Sequence, residues 1–156
     1  LESKNTPSAI ILSRQKLPYI KRENLSENKC KNGAYTIKLT SHDSKVVLIA
    51  SGSELELALK VQENLKANNI DSKVVSMPCM ELFRSQDAAY QDGILGSAPR
   101  IVIEAAMQQS WDWMLDPMDG FIGMSGFGAS APIGDLYTHF GITEDAVVAA
   151  ARRQLG

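Results

Sequence analysis

The sequence predicts an α/β fold in which a mostly parallel sheet carries helices on both faces. Three observations predict it. The strand Lys45 to Ala50 holds an unbroken apolar, β-branched core, Val46-Val47-Leu48-Ile49-Ala50, as a strand covered on both sides does. Strand-like and helix-like segments then alternate along the chain. The last helix has a cap at its start and charges matched to its dipole at both ends.

Taken in order, residues 8–13, Ser-Ala-Ile-Ile-Leu-Ser, read as a short apolar strand that ends at Arg14-Gln15. From Lys16 to Asn32 no periodic apolar face survives. Pro18, the mixed charges of Lys21 to Glu27 and the pair Asn32-Gly33 mark a connector. Ala34 to Leu39 alternates, with Tyr35, Ile37 and Leu39 on one side and Thr36 and Lys38 on the other, the pattern of a half-exposed edge strand. His42-Asp43-Ser44 forms a turn, and Ser51-Gly52-Ser53 carries the strand Lys45 to Ala50 into a helix. In that helix Leu55, Ala58, Val61 and Leu65 share a face, Ser53 and Glu56 have the spacing of a capping box, and Glu56 and Lys60 that of an i,i+4 pair. Asn68-Asn69 stops it. A strand from Lys73 to Met77 ends at Pro78, a helix is expected around Ser85 to Gln91, and a further strand runs from Arg100 to Glu104. Gln108 to Met114 reads as helix and Gly120 to Met124 as strand. The glycine-rich loop Ser125 to Pro132 leads into a helix from Ile133 to Phe140. Thr143 caps the final helix, with Glu144 and Asp145 at its positive end and Arg152 and Arg153 at its negative end.

The chain has 156 residues, enough for one core, with 44% hydrophobic and 22% charged residues, which excludes a disordered tail or a low-complexity linker. Its longest apolar run, Ala146 to Ala151, is six residues against the roughly 20 of a membrane-spanning helix. A net charge of −2 is the wrong sign for neutralising nucleic-acid phosphates, so no nucleic-acid partner is expected. The charge is uneven, +4 over residues 1–31 and −6 beyond, which places a seam near residue 31. Cys30 and Cys79 are too few for a disulfide framework and fit a reducing, cytosolic setting. Leu1 stands first with no basic stretch leading into an apolar one, so the expectation is part of a longer polypeptide without a signal peptide.

Candidate chemistry is sparse. Ser51-Gly52-Ser53-Glu54 brings a glycine and unpaired N–H groups to a helix N-terminus, where an anion could bind, but a capping box at Ser53 and Glu56 would satisfy the same donors. Neither the dinucleotide fingerprint nor the P-loop is matched. The stretch Gly123 to Pro132 could bring backbone close to a partner. A fixed turn explains it more simply, with Phe127 anchored in the core and Pro132 at the first helical position. His42 and His139 have no second ligand at metal spacing, and without a Gly-x-Ser-x-Gly elbow hydrolase chemistry is disfavoured. Glu104, at the end of a buried strand, either faces a ligand or caps a helix or pairs with an arginine. Trp111, Trp113, Met114 and Met118 form a patch that suits a subunit contact or the core equally. Arg14 follows an apolar strand and could present its planar fork to a phosphate or carboxylate outside this domain.

Together these segments resemble the C-terminal end of transketolase across essentially the whole chain. Leu12-Ser13-Arg14-Gln15 resembles the close of that family's middle, pyrimidine-binding domain, and Gly33-Ala34-Tyr35 its entry to the last domain. Ala50-Ser51-Gly52-Ser53-Glu54, Val75-Ser76-Met77-Pro78, Phe83 with Gln86-Asp87-Ala88-Ala89-Tyr90, Ile103-Glu104-Ala105 and Phe127-Gly128-Ala129-Ser130-Ala131-Pro132 follow in family order. Met107 to Asp119, with Trp111-Asp112-Trp113, departs most from the pattern.

The resemblance implies a three-layer α/β/α domain at 33–156 whose mostly parallel five-stranded sheet is edged by one antiparallel strand at 34–39, preceded by a linker at 16–32 and a remnant of the middle domain at 1–15. It implies an enzyme that uses thiamine diphosphate and Mg²⁺ or Ca²⁺ to move a two-carbon ketol unit between sugar phosphates in the pentose phosphate pathway, as a cytoplasmic homodimer. The family's Gly-Asp-Gly cofactor motif is missing from this sequence. No catalytic, cofactor-binding or metal residue is therefore expected here, and the fragment should be inactive alone. One residue carries over: Arg14, in the place of the arginine that contacts the substrate phosphate. Deoxyxylulose-phosphate synthase and the β subunit of a 2-oxoacid dehydrogenase share the last domain, but Ser13-Arg14-Gln15 argues against them. A stand-alone regulatory domain that binds a nucleotide at Ser51 to Glu54 is the alternative from another class.

Overall fold

A computed structural model describes residues 4–20, 27–41 and 43–156. His42 and the charged stretch 21–26, both read from the sequence above, lie outside the described residues.

Five strands form one sheet in the order β1-β3-β2-β4-β5, namely β1 (Tyr35–Leu39), β2 (Val46–Ala50), β3 (Ser72–Ser76), β4 (Arg100–Met107) and β5 (Gly120–Met124). β2, β3, β4 and β5 run parallel and β1 pairs antiparallel with β3 at one edge, as expected. β2 is central and every residue in it is buried, which is why it contains no polar side chain. Helices α1 (Glu54–Ala67) and α5 (Glu144–Leu155) cover one face. Leu55, Ala58, Val61 and Leu65 of α1 meet Val147, Val148, Ala150 and Ala151 of α5 over Val46, Leu48, Ile101 and Ile103. On the other face Phe83 of α2 (Met80–Arg84) and Leu95 of α3 (Ala88–Leu95) pack on Val47, Ile49 and Val102. Helix α4 (Ile133–Phe140) precedes α5 and has no fully buried residue. The three layers are those the sequence implies.

Several local expectations are corrected. Residues 8–13 form no strand; Ile10, Ile11 and Leu12 are exposed, Ile11 at 94%. An apolar pattern is local, whereas a strand exists only where a neighbour takes up its backbone hydrogen bonds, and none lies beside this segment among the described residues. The alternation of β1 is broken by a register shift between Thr36 and Lys38. Tyr35 is buried, Leu39 is exposed, and Ile37 packs on the α1 side. The helix expected around Ser85 to Gln91 begins only at Ala88, as α3, and a separate helix α2 ends before it at Arg84, because Asp87 takes an extended backbone and caps α3 by accepting from Tyr90 N–H at 2.8 Å. Gln108–Ser110 and Asp112–Met114 are 3₁₀ turns rather than one helix. Buried Trp111 pins the chain between the two turns, which interrupts a continuous helix.

The capping box is absent as well. Ser53 already has helical dihedrals (φ −68°, ψ −31°), which deny its hydroxyl the N-cap geometry, and Glu56 pairs with Lys60 at 2.6 Å instead. Pro132 sits at the N-cap of α4 rather than at the first helical position expected for it, which Ile133 takes. Phe127 does not anchor its loop in the core; it is 100% exposed, since Ile122, Met124, Tyr137 and Phe140 already line the neighbouring core. Trp111 and Met114 are core residues, while Met118 is 68% exposed and leaves the patch. Thr143 caps α5 as expected, accepting from Ala146 N–H at 3.3 Å.

Candidate functional site

The strand order fixes where a site can form. From β2 the chain passes through α1 to β3 on one side, then crosses back through α2 and α3 to β4 on the other. Connections leaving β2 and β4 therefore diverge, and the carboxyl ends of these neighbouring strands bound the crevice where open α/β sheets place ligands. Ala50 pairs with Ile103, so the next residues, Ser51 and Glu104, stand side by side at its mouth.

Four side chains join there. Ser51 Oγ donates to Glu104 Oε2 at 2.7 Å, and Ser53 Oγ donates to Glu54 Oε1 at 3.0 Å. The Tyr137 hydroxyl of α4 donates to the same Glu54 oxygen. Glu54 is the first residue of α1 and only 3% exposed, so its carboxylate lies against the positive end of the helix dipole. Gly52 turns the chain between β2 and α1 with a φ of +47°.

Charge decides what this cluster can hold. Neither Glu54 nor Glu104 forms an ion pair among the described residues. Burial pushes the Glu104 carboxyl above the usual carboxylate range; the Ser51 hydroxyl pulls it back and the charge of Glu54 raises it further. Burial also raises the Tyr137 hydroxyl, with Glu54 adding to the effect as acceptor, so the phenol keeps its proton as donor. Such a cluster binds protons and hydrogen-bond donors and repels anions.

The sequence-based candidates fare differently. Ser51 to Glu54 and Glu104 come together, and Glu104 neither caps a helix nor meets an arginine; its partner is Ser51. Glu54 fills the anion position at the start of α1 from within the chain, which argues against a nucleotide there. Arg14 is exposed and far in sequence from this crevice, and His139 stacks edge-on against Phe140 with ring centres 4.8 Å apart. Two members were not singled out as a pair from sequence: Tyr137, and Glu54 as a buried acid. For Glu54 a signal exists, because residues 54, 58, 61 and 65 continue one apolar stripe to its first turn. For Tyr137 none does.

A thiamine diphosphate would need cationic or metal support for its diphosphate. The crevice offers two carboxylates and three hydroxyls, and among the described residues no group of three or more His, Cys, Asp or Glu side chains could hold a metal ion. These residues do not fit that cofactor.

The family model of the transketolase-like C-terminal domain matches residues 33–143. The chain belongs to this transketolase C-terminal domain family. A curated transketolase of Sinorhizobium medicae is 51% identical over 152 residues, 97% of this chain and 22% of the relative. The transketolase structure from Leishmania mexicana superposes with a TM-score of 0.72 at 39% identity, covering 80% of this chain and 18% of that one. A Pichia stipitis transketolase in complex with sedoheptulose 7-phosphate superposes with a TM-score of 0.79 at 25% identity over 90% of this chain and 20% of that one. The chain thus spans about a fifth of the length of the transketolases it matches. Among its described residues no helix is long and apolar enough to cross a membrane.

Proposed function

We propose that this chain is the C-terminal portion of a transketolase, an enzyme that moves a two-carbon ketol unit between sugar phosphates of the pentose phosphate pathway with thiamine diphosphate and Mg²⁺ or Ca²⁺. The family match over residues 33–143 carries this reading. Within the whole enzyme, a cytoplasmic homodimer, residues 33–156 supply structure and subunit contact. Residues 16–32 are the linker and residues 1–15 the end of the preceding domain. The exposure of Ile10, Ile11 and Leu12 supports that division, because a β-branched apolar segment of this kind suits a strand whose sheet lies in another domain.

Alone, the chain is inactive. Transition-state stabilisation in this chemistry belongs to the cofactor, and the residues present cannot bind it. Purified chain mixed with thiamine diphosphate, Mg²⁺, xylulose 5-phosphate and ribose 5-phosphate gives no turnover; any turnover by the chain itself overturns the reading.

Arg14 contacts the substrate phosphate in the whole enzyme. Its exposed guanidinium supports this, as it is presented outward. Charge-assisted hydrogen bonds contribute about 1.5–3 kcal/mol, so Arg14→Ala in the full-length enzyme raises KM for phosphorylated acceptors roughly 10- to 150-fold. An unphosphorylated acceptor is unaffected. An equal loss on both substrates would remove Arg14 from the phosphate.

A further inference from the structure

We propose that Glu104, Ser51, Glu54 and Tyr137 form a proton-controlled latch: with Glu104 protonated, α4 stays closed over the carboxyl end of the sheet, and loss of that proton favours its release. The inference stands on how α4 is held. It has no fully buried residue, it follows an exposed loop from Ser125 to Pro132, and it ends at Gly141 in the left-handed region. Its contact with the core runs through the partly buried Tyr137 and Phe140. The Tyr137 hydroxyl bond to buried Glu54 tethers it to the start of α1, beside the carboxyl end of β2.

Three titratable groups face one another at this point: Glu104 from β4, Glu54 from α1 and Tyr137 from α4. Ser51 and Ser53 are the remaining donors, and no lysine, arginine or histidine forms an ion pair with either carboxylate among the described residues. With Glu104 protonated the crevice holds a single charge, on Glu54, which the α1 N-terminus, Ser53 and Tyr137 accommodate. Ionising Glu104 places a second, unpaired charge in the same half-dry space. Water reaches that charge when α4 lifts.

Linkage gives the sign. The closed state binds the Glu104 proton more tightly than the open one, because burial raises that carboxyl only while the crevice is shut. Closed to open releases the proton, so a rise in pH favours opening. Between the ordinary carboxylate range and the raised value in the closed state, the opening equilibrium increases by up to tenfold per pH unit, the limit for one linked proton.

Amide hydrogen exchange of the full chain from pH 4 to pH 8 tests this, read for residues 133–140 and normalised to the intrinsic exchange rate and to amides 58–65 of α1. In the wild type, protection of 133–140 falls as pH rises through that window. In Glu104→Gln, which keeps a side chain of the same size beside Ser51, protection is high and independent of pH. In Tyr137→Phe it is lower at every pH while the slope remains. A wild-type profile without slope, or the same slope in wild type and Glu104→Gln, overturns the latch. Should Glu104→Gln fail to fold by circular dichroism, Ser51→Ala serves in its place: without the hydroxyl that lowers the Glu104 carboxyl the slope extends to higher pH, and a profile identical to wild type there overturns the latch as well.

Discussion

Replacing Gly33 with alanine tests the packing where the linker enters the domain. Gly33 has a φ of +84°, and a Cβ built on it would lie 2.2 Å from Phe83 N and 2.4 Å from Cys79 O, both backbone atoms. Its carbonyl also accepts from Cys79 N–H at 3.0 Å, so neither neighbour can retreat without opening the start of α2. Two costs add. A left-handed backbone costs an L-residue about 1–2 kcal/mol, and overpacking a close contact costs about 1–3 kcal/mol. Their sum, about 2–5 kcal/mol, lowers the urea midpoint by about 1–2.5 M if the denaturant slope is about 2 kcal/mol/M. Two controls separate the terms. Gly52 has a φ of +47° but open space around its Cβ position, so Gly52→Ala suffers the backbone cost alone, about 1–2 kcal/mol. Gly126 has neither constraint, and Gly126→Ala stays within about 0.5 kcal/mol of wild type. A Gly33→Ala midpoint within about 0.3 M of wild type, or a loss in Gly52→Ala as large, would refute the reasoning.

Leu65 is wholly buried between α1, α5 and the sheet, so Leu65→Ala loses about 2–5 kcal/mol in urea or thermal unfolding. Thr143→Ala removes the α5 cap and costs about 1 kcal/mol, whereas Ser53→Ala, whose hydroxyl makes no cap bond, costs less. Glu104→Gln has a pH signature. The folded carboxyl lies above its ordinary value of 4.5, so the stability it lends is complete below that value and is lost as pH rises through the raised one. The stability gain of Glu104→Gln over wild type therefore grows from about pH 4.5 upward and then levels; unfolding midpoints across pH would show a flat difference if the carboxyl were not raised.

The parts of this fold legible in the sequence are those encoded locally. The stripe Leu55, Ala58, Val61 and Leu65, the unbroken run of β2 and the Thr143 cap each sit within a few residues and each fold as read. What escaped depends on distant partners. Residues 8–13 have strand composition but no neighbour to pair with. Ser53 and Glu56 have capping-box spacing, yet the helix begins so that Ser53 is already inside its geometry. The crevice itself was half visible. Ser51 and Glu104 lie at strand ends where ligand sites form, but their hydrogen bond follows from the register of β2 on β4, and Tyr137 joins from 83 residues beyond Glu54.

The pairing of β1 with β3 bears on how the chain emerges from a ribosome. Tyr35 finds its antiparallel partner in Ser76, and α1 and all of β2 are made in between. At ~5–20 residues per second, β1 waits ~2–8 s for the strand that will shield it. Through that interval β2, with five consecutive apolar residues, also lacks both of its neighbours. A holdase that shelters residues 35–50 until β3 appears would raise the yield of soluble protein, and one that acts only after release would come too late.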